Sequence, residues 1–154
     1  MKKVFIFALF IGSFTSSFSQ DSILLDSCCR NNVVPYYYED SPLLYKDGFY
    51  ALKLFITENY TKTDFSKIST NSGIVVIHFK VTCDGIVKNI IHECFDYDYN
   101  VIELNSSIIK VLEKTVAELK NWKIGLNEKK EPLCYHKFLS FKLVQGQIIE
   151  ILPN

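Results

Sequence analysis

The side chains best suited to chemistry in this chain are thiol and imidazole groups. The five cysteines are Cys28, Cys29, Cys83, Cys94 and Cys134, and the three histidines are His78, His92 and His136. The ten residues between Cys83 and Cys94 fit no zinc pattern, and no two histidines are spaced to share one face of a helix. An odd number of cysteines leaves at least one without an intramolecular partner. Structural or disulfide-bonded cysteines are therefore favoured over a metal site.

No arrangement of residue types in the sequence predicts a catalytic centre. The chain has no Gly-x-Ser-x-Gly motif, no phosphate-binding glycine loop and no metal-binding helix motif. His78 and His92 could act as an acid and a base if neighbouring strands bring them together, but the sequence places no nucleophile beside them. Cys83 stands next to Asp84-Gly85 and is predicted to be a turn residue. We expect a protein that is not an enzyme and that uses neither a cofactor nor a metal.

A small acidic cluster lies farther along the same region. Its members are Glu93, Asp96 and Asp98, and tyrosines are interleaved with the two aspartates. Carboxylates are the usual ligands of Ca²⁺, but this spacing matches no recognised calcium loop. The cluster predicts a solvated turn.

The composition excludes two broad classes of protein. The 154 residues contain 17 basic and 17 acidic side chains, so the formal charge is zero. A nucleic-acid-binding module of this size usually carries a clear basic excess. With 48% hydrophobic residues, 12 Phe and 9 Tyr, the chain is also too apolar to be intrinsically disordered. The length suits one folded domain, and we expect it not to bind nucleic acid.

Residues 1–19 have the layout of a secretory signal peptide. A basic start at Lys2 and Lys3 precedes an apolar stretch, and the small residues Ser17 and Ser19 fit cleavage after Ser19. An uncleaved anchor is the alternative, although the apolar stretch is shorter than the roughly 20 residues that span a bilayer. We expect a periplasmic or secreted protein, or one anchored in the inner membrane if the segment is retained.

Residues 20–46 look irregular and form a predicted arm, and regular periodicity begins after Asp47. A helix is predicted from Gly48, with Asp47 as its N-cap. Its apolar stripe consists of Phe49, Leu52, Ile56 and Tyr60. The period then changes to two, which predicts a half-buried strand. Its inward residues are Val75, Ile77, Phe79 and Val81.

Asp84-Gly85 predicts a hairpin, because both positions of a tight hairpin turn favour positive φ. The second strand runs from Ile86 to Cys94. Its alternation is interrupted, which predicts a bulge near Lys88-Asn89.

A second helix and a last strand complete the predicted domain. Asn105 or Ser106 can cap the helix, and its apolar stripe consists of Ile108, Ile109, Leu112, Val116 and Leu119. The last strand runs from about Cys134 to Val144. The predicted fold is a two-layer α+β domain over residues 47–145, with a three-stranded antiparallel sheet and an additional N-terminal helix. Residues 146–154 are predicted to be a tail.

Three segments, in the same order, resemble the TonB C-terminal domain found in energy transducers of Gram-negative bacteria. Residues 48–59 are similar to that family's entry helix, and residues 73–90 to its hairpin. Residues 119–143 are similar to its closing segment, with Trp122-Lys123-Ile124-Gly125, Pro132-Leu133 and Phe141-x-Leu143. The resemblance covers about residues 47–144.

This resemblance implies a module that binds an extended segment of a protein or peptide partner, such as an outer-membrane receptor. In such modules the segment adds as a strand to an exposed sheet edge. The implied binding residues are in the last strand: Tyr135, Lys137, Phe138, Leu139, Phe141 and Leu143. The alternative is a secreted scaffold domain with no role in energy transduction, which could form a homodimer by pairing the same edge with itself.

The resemblance also implies structural roles for individual residues. Gly85 suits a turn with positive φ, and Trp122 is large enough to seal the end of the second helix against the sheet. In the family, the last strand lies antiparallel beside the first, which would bring Cys134 close to Cys83. A disulfide between these two residues is therefore implied, provided that their Cα atoms lie within about 7 Å.

Overall fold

A computed structural model of the chain describes residue 29 and residues 33–34, 45–61 and 71–152. The predicted signal peptide, 1–19, and most of the predicted arm, 20–46, lie outside these residues. The described elements in chain order are β1 (Val33–Val34), α1 (Gly48–Thr61), β2 (Gly73–Val81), β3 (Val87–Phe95), α2 (Ser106–Ala117), β4 (Cys134–Val144) and β5 (Gln147–Leu152).

The strands form one sheet in which β2 lies between β3 and β4. Both pairings are antiparallel, and the β2–β4 register runs from Gly73 opposite Leu143 to Val81 opposite Tyr135. These are the three strands that the sequence predicts. The two-residue β1 runs parallel to the start of β4, and β5 runs antiparallel to its end. The predicted two-layer α+β class is confirmed, although the sheet has two more strands than predicted.

Alternation along β2 separates the two faces of the sheet. The predicted inward residues of β2 are buried, and so are the stripes of α1 and α2, except that Phe49 is only partly buried. We call this the helix face, because both helices contribute to the same core. Each such side chain removed from water contributes about 1.5–3 kcal/mol to folding. The opposite face of β2 carries Ile74, Val76, His78 and Lys80 and is called the second face.

The β2–β3 hairpin contains the predicted bulge but not the predicted turn type. The register shifts between His78 and Lys80, and Asn89 on the facing strand has a φ of 52°. In the turn, the N–H of Gly85 donates to the carbonyl of Thr82 at 2.8 Å. Gly85 has the predicted positive φ, 77°, whereas Asp84 does not. The chain therefore makes a turn followed by a left-handed glycine, not a two-residue turn with two positive φ values.

Thr82 fixes the conformation of this turn with its hydroxyl. Its Oγ1 donates to a carboxylate oxygen of Asp84 and accepts from the N–H of Ile86 at 3.2 Å. The bond from Thr82 lowers the pKa of Asp84 below its usual value.

Helix α2 begins at one of the two predicted caps. The side-chain oxygen of Asn105 accepts from the N–H of Ser107 at 2.8 Å. The buried Asn71 accepts from the N–H of Asn105 at 2.8 Å, and its carbonyl accepts from the N–H of Gly146 at 2.7 Å. One asparagine before β2 therefore ties the start of α2 to the β4–β5 turn.

Trp122 packs five residues beyond the end of α2. Its ring lies 5.8 Å from that of Phe79 in β2 and 5.2 Å from that of Tyr45. Trp122 also forms an isolated antiparallel bridge with Tyr45. The indole thus packs against the sheet, and it holds the segment before α1 in place.

Candidate partner-binding edge

The predicted binding strand, β4, lies inside the sheet. Four of its six predicted contact residues belong to the core and face the helices: Tyr135, Leu139, Phe141 and Leu143. Burial lowers the pKa of Lys137, and the exposed Phe138 packs its ring 6.0 Å from that of His78. Most of the predicted contact residues therefore point into the protein.

The backbone of β4 is also largely paired along both edges, which leaves little of the predicted binding strand open to an added segment. β2 pairs with it from Tyr135 to Leu143. On the other edge, β1 pairs with residues 134–135 and β5 with residues 140–144. Residues 147–152, predicted to be part of a tail, cover this edge because Gln145 and Gly146 both have positive φ and reverse the chain tightly.

The other edge of the sheet is formed by β3. Phe95 pairs with Ile74 of β2 on one side and with Val101 on the other. The carbonyl of Cys94 accepts from the N–H of Ile102 at 3.0 Å, so it points away from β2. In an antiparallel strand, the backbone N–H and C=O groups of every second residue point to the same side. Those of His92 therefore point outward, as those of Cys94 do. Among the described strands, none pairs with this outer edge at His92.

A groove runs between this outer edge and helix α2. Its volume is about 590 Å³. Residues of low polarity form its inner surface: Cys94, Ile102, Leu104 and Ile109. Two glutamates, Glu103 and Glu113, and one cation, Lys110, also line it, as does Glu93, whose carboxylate lies near His78 on the second face. An open strand edge therefore lies beside a groove whose inner surface is apolar and whose charged residues are mainly acidic.

The two histidines that could have formed an acid–base pair are separated. His92 lies opposite Ile77 on the helix face, and its Nδ1 is 2.7 Å from Oε1 of Glu113 in α2. His78 is on the second face, with Nε2 at 3.2 Å from Oε2 of Glu93. The sheet itself therefore stands between the two imidazoles, and each has its own carboxylate.

The two aspartates of the acidic cluster lie in the turn after β3, and hydrogen bonds to Asp96 hold this turn. Oδ1 of Asp96 accepts from the N–H groups of Asp98 and Asn100, each at 2.9 Å, and Oδ2 accepts from the Asn100 amide at 2.9 Å. The bonds from Asn100 lower the pKa of Asp96. The carboxylate is therefore used in shaping the turn that returns the chain to the edge of β3.

The cysteines differ from the predicted pairing. Cys134 forms its disulfide with Cys29, not with Cys83, and the Cα atoms of Cys29 and Cys134 are 5.5 Å apart. The predicted proximity is nevertheless real, because the sulfur atoms of Cys29, Cys83 and Cys134 all lie within 4.8 Å of one another. Cys83 is itself disulfide-bonded, and its partner is not among the described residues.

Cys94 is the free thiol of the described residues, and it is buried at the groove. Burial raises its pKa, which disfavours the thiolate. In the part of the chain that the structure describes, the only group of three or more His, Cys, Asp or Glu side chains close enough to share a metal ion is the three-cysteine cluster, whose sulfurs are already oxidised.

A smaller hollow of about 250 Å³ lies on the second face of the sheet. Tyr97 lines it, and its hydroxyl donates to the carbonyl of Leu143, while Nζ of Lys142 lies 5.5 Å from the centre of the Tyr97 ring. These polar groups are used in joining the turn after β3 to β4.

No protein-family model, curated protein or solved structure matches the chain. The likeness of its segments to the TonB C-terminal domain therefore remains a prediction from the sequence. Neither helix in the described residues is long and apolar enough to cross a membrane.

Proposed function

We propose that this protein is a non-enzymatic module that binds an extended segment of a partner protein by strand addition to the outer edge of β3. One observation supports the proposal. The backbone N–H and C=O of His92 point outward on the same edge of β3 at which the carbonyl of Cys94 accepts a hydrogen bond from Ile102 of the chain itself. An added strand gains main-chain hydrogen bonds there, and its alternate side chains face the groove.

The bulge at Asn89 limits how long the added strand can be. Bulges interrupt regular pairing and protect edges against indiscriminate association. The regular part of the edge lies between this bulge and the pairing at Cys94. We therefore propose a short added strand centred on His92, whose affinity depends on the side chains that enter the groove as well as on the backbone.

The resemblance to TonB C-terminal domains supports the class of partner, although not the strand that binds it. By that resemblance the partner is a periplasmic segment of another protein, such as an outer-membrane receptor. The structure differs in that β5 covers much of the outer edge of β4. Binding at β3 leaves β5 in place and requires no rearrangement of the described sheet.

The test compares His92→Pro with His92→Ala. Proline removes the outward N–H, whereas alanine removes only the side chain and keeps the N–H. Proline is tolerated at edge positions whose N–H does not pair within the sheet. Short random peptides displayed on phage are selected on the wild-type protein, and the affinities of the selected peptides are then measured on both variants.

We expect His92→Pro to weaken binding by about tenfold or more, through the lost hydrogen bond and the obstructing ring, and His92→Ala by much less. Circular dichroism should match the wild type for both. Equal binding to all three proteins would overturn the proposal. So would a concentration-dependent dimer, seen by sedimentation, that is lost in His92→Pro and accompanies an absence of peptide binding, since the edge would then serve self-association.

A further inference from the structure

We infer that the groove beside β3 selects extended segments that carry lysine or arginine at the position opposite His92. The inference rests on the proposed strand addition and adds to it the chemistry of the partner. Its basis is the charge of the groove together with the direction in which an added side chain must point.

The charges that line the groove are mainly negative. Glu103 and Glu113 line it with one Lys or Arg among the described lining residues, Lys110, whereas the carboxylate of Glu93, another lining residue, lies on the second face at 3.2 Å from His78. The chain as a whole is neutral, with 17 basic and 17 acidic side chains, so this acidity is local and not a consequence of composition. An acidic segment entering here would be repelled, and a basic one attracted.

Strand geometry determines which carboxylate an added side chain meets. Directly opposed residues on neighbouring strands project to the same face, with Cβ atoms about 4.5–5.5 Å apart. His92 projects to the helix face, where it contacts Glu113. The partner residue opposite His92 must therefore project towards Glu113 and the groove.

The two neighbouring positions of the added strand project to the second face. The β3 residues opposite them are Ile91, whose side chain is 64% exposed, and Glu93. A second basic residue opposite Glu93 would meet another carboxylate, whereas the position opposite Ile91 favours an apolar side chain. The expected segment therefore has a central basic residue, flanked on one side by an apolar residue and on the other by a polar or basic residue.

Glu113 is suited to bind such a cation. Its Oε1 is occupied by His92 at 2.7 Å, and its side chain is only partly exposed, so a cation there is screened less than on an open surface. Guanidinium can donate to carboxylate oxygens through two N–H groups at once, which favours arginine over lysine.

The experiment uses the peptides selected on the wild-type protein and a set of matched variants. Glu113→Gln removes the charge at nearly unchanged shape. Glu128→Gln, in the exposed loop between α2 and β4, makes the same change outside the groove. Each peptide is also made with its basic residue replaced by glutamine, and affinities are measured at low and high salt.

We expect Glu113→Gln to weaken basic peptides by about threefold to tenfold, and Glu128→Gln to have no effect. Glu113→Gln should not weaken the binding of the peptide whose basic residue is replaced by glutamine. Rising salt should weaken the binding of the basic peptide only. If the selected peptides bind the wild type, fail on His92→Pro and yet show neither basic enrichment nor sensitivity to Glu113→Gln, the charge inference is overturned and strand addition stands. If no peptide distinguishes His92→Pro from the wild type, strand addition itself fails.

Discussion

Nδ1 of His92 lies 2.7 Å from Oε1 of Glu113, so a side-chain pair joins the edge strand β3 to helix α2. The same strand also meets α2 through the core, since Cys94 and Ile109 belong to one buried cluster. The edge and the wall of the groove are therefore held at a fixed separation. A preformed groove reduces the entropy that a bound segment must overcome, because the protein side is already ordered.

Gly73→Ala is expected to destabilise the fold strongly. A Cβ atom at Gly73 would lie 2.6 Å from the backbone oxygen of Phe95, and Phe95 is held by pairing with both Ile74 and Val101. The clash therefore cannot be relieved by turning a side chain. We expect a loss of about 3 kcal/mol in the free energy of unfolding, measured with urea.

Gly48→Ala is the matched control for this change. Gly48 also has a positive φ, 83°, but a Cβ there meets nothing within 4 Å. Only the backbone conformation opposes the substitution, at a cost of about 1 kcal/mol. Equal losses in the free energy of unfolding for the two variants would mean that the backbone at the end of the β2–β3 pairing shifts to accommodate the new methyl group.

The sequence predicts an element of this fold well where the apolar residues follow a single period and lie on a single buried face. β2 alternates strictly, with Val75 and Ile77 facing the helices, and its face could be assigned without knowing its neighbours. β5 could not be recognised in this way. Four of the five residues from Ile148 to Leu152 are apolar, and a register shift between Lys142 and Leu143 breaks the alternation. The Gln145-Gly146 turn that begins it is also not a common hairpin signal.

The open edge of the sheet was less predictable, because edge position is a property of the whole sheet. β4 has the most regular apolar pattern of the later strands, and that regularity arises because it is an inner strand. Strand β3, on the far side of β2, is irregular for the opposite reason, since Ile91 and Glu93 are exposed at an edge. The disulfide shows the same limit: strand order brings Cys83 and Cys134 together, but it does not decide which of three neighbouring sulfurs bond.

The disulfide between Cys29 and Cys134 is expected to contribute substantially to stability. It links residues 105 apart in sequence, and closing a loop of that size restricts the unfolded chain by an amount worth about 5 kcal/mol. The double variant Cys29→Ser, Cys134→Ser should lose most of that in urea unfolding under non-reducing conditions. Cys94→Ala, which leaves the bond intact, should lose clearly less.

The pairing itself is tested by proteolysis without reduction followed by mass spectrometry. We expect one linked pair of peptides containing Cys29 and Cys134, and a second linked pair that contains Cys83. Cys94 should react with a thiol reagent only after unfolding. A Cys83–Cys134 peptide as the main product would contradict the pairing.

Tyr135→Phe is expected to preserve or increase stability. Tyr135 is 1% exposed, and its hydroxyl is buried with no hydrogen-bond partner among the described residues. Removing an unsatisfied buried hydroxyl relieves a desolvation cost, so we expect a gain of about 1 kcal/mol or no change in the free energy of unfolding. A loss of more than about 1 kcal/mol would indicate that the hydroxyl bonds to a group outside the described residues.

Stability should fall at alkaline pH because of Tyr60. Its hydroxyl donates to the carbonyl of Gly146 at 2.7 Å, the side chain is 3% exposed, and burial raises the pKa to about 12 from an ordinary value of 10.0. The unfolded state therefore loses this proton first. Stability from this group is fully present below pH 10 and falls between pH 10 and about 12, by up to about 2–3 kcal/mol.

Tyr60→Phe separates the hydrogen bond from the titration. At neutral pH it should cost about 1 kcal/mol, because the Gly146 carbonyl loses its donor. At alkaline pH the variant should lose less stability than the wild type, while burial of Tyr45 and Tyr135 also raises their pKa values and leaves some slope. Tyr50→Phe, on the exposed side of the same helix, should reproduce the wild-type profile. Urea unfolding across this pH range measures all three proteins, and parallel curves for Tyr60→Phe and the wild type would show that Tyr60 is not the group responsible.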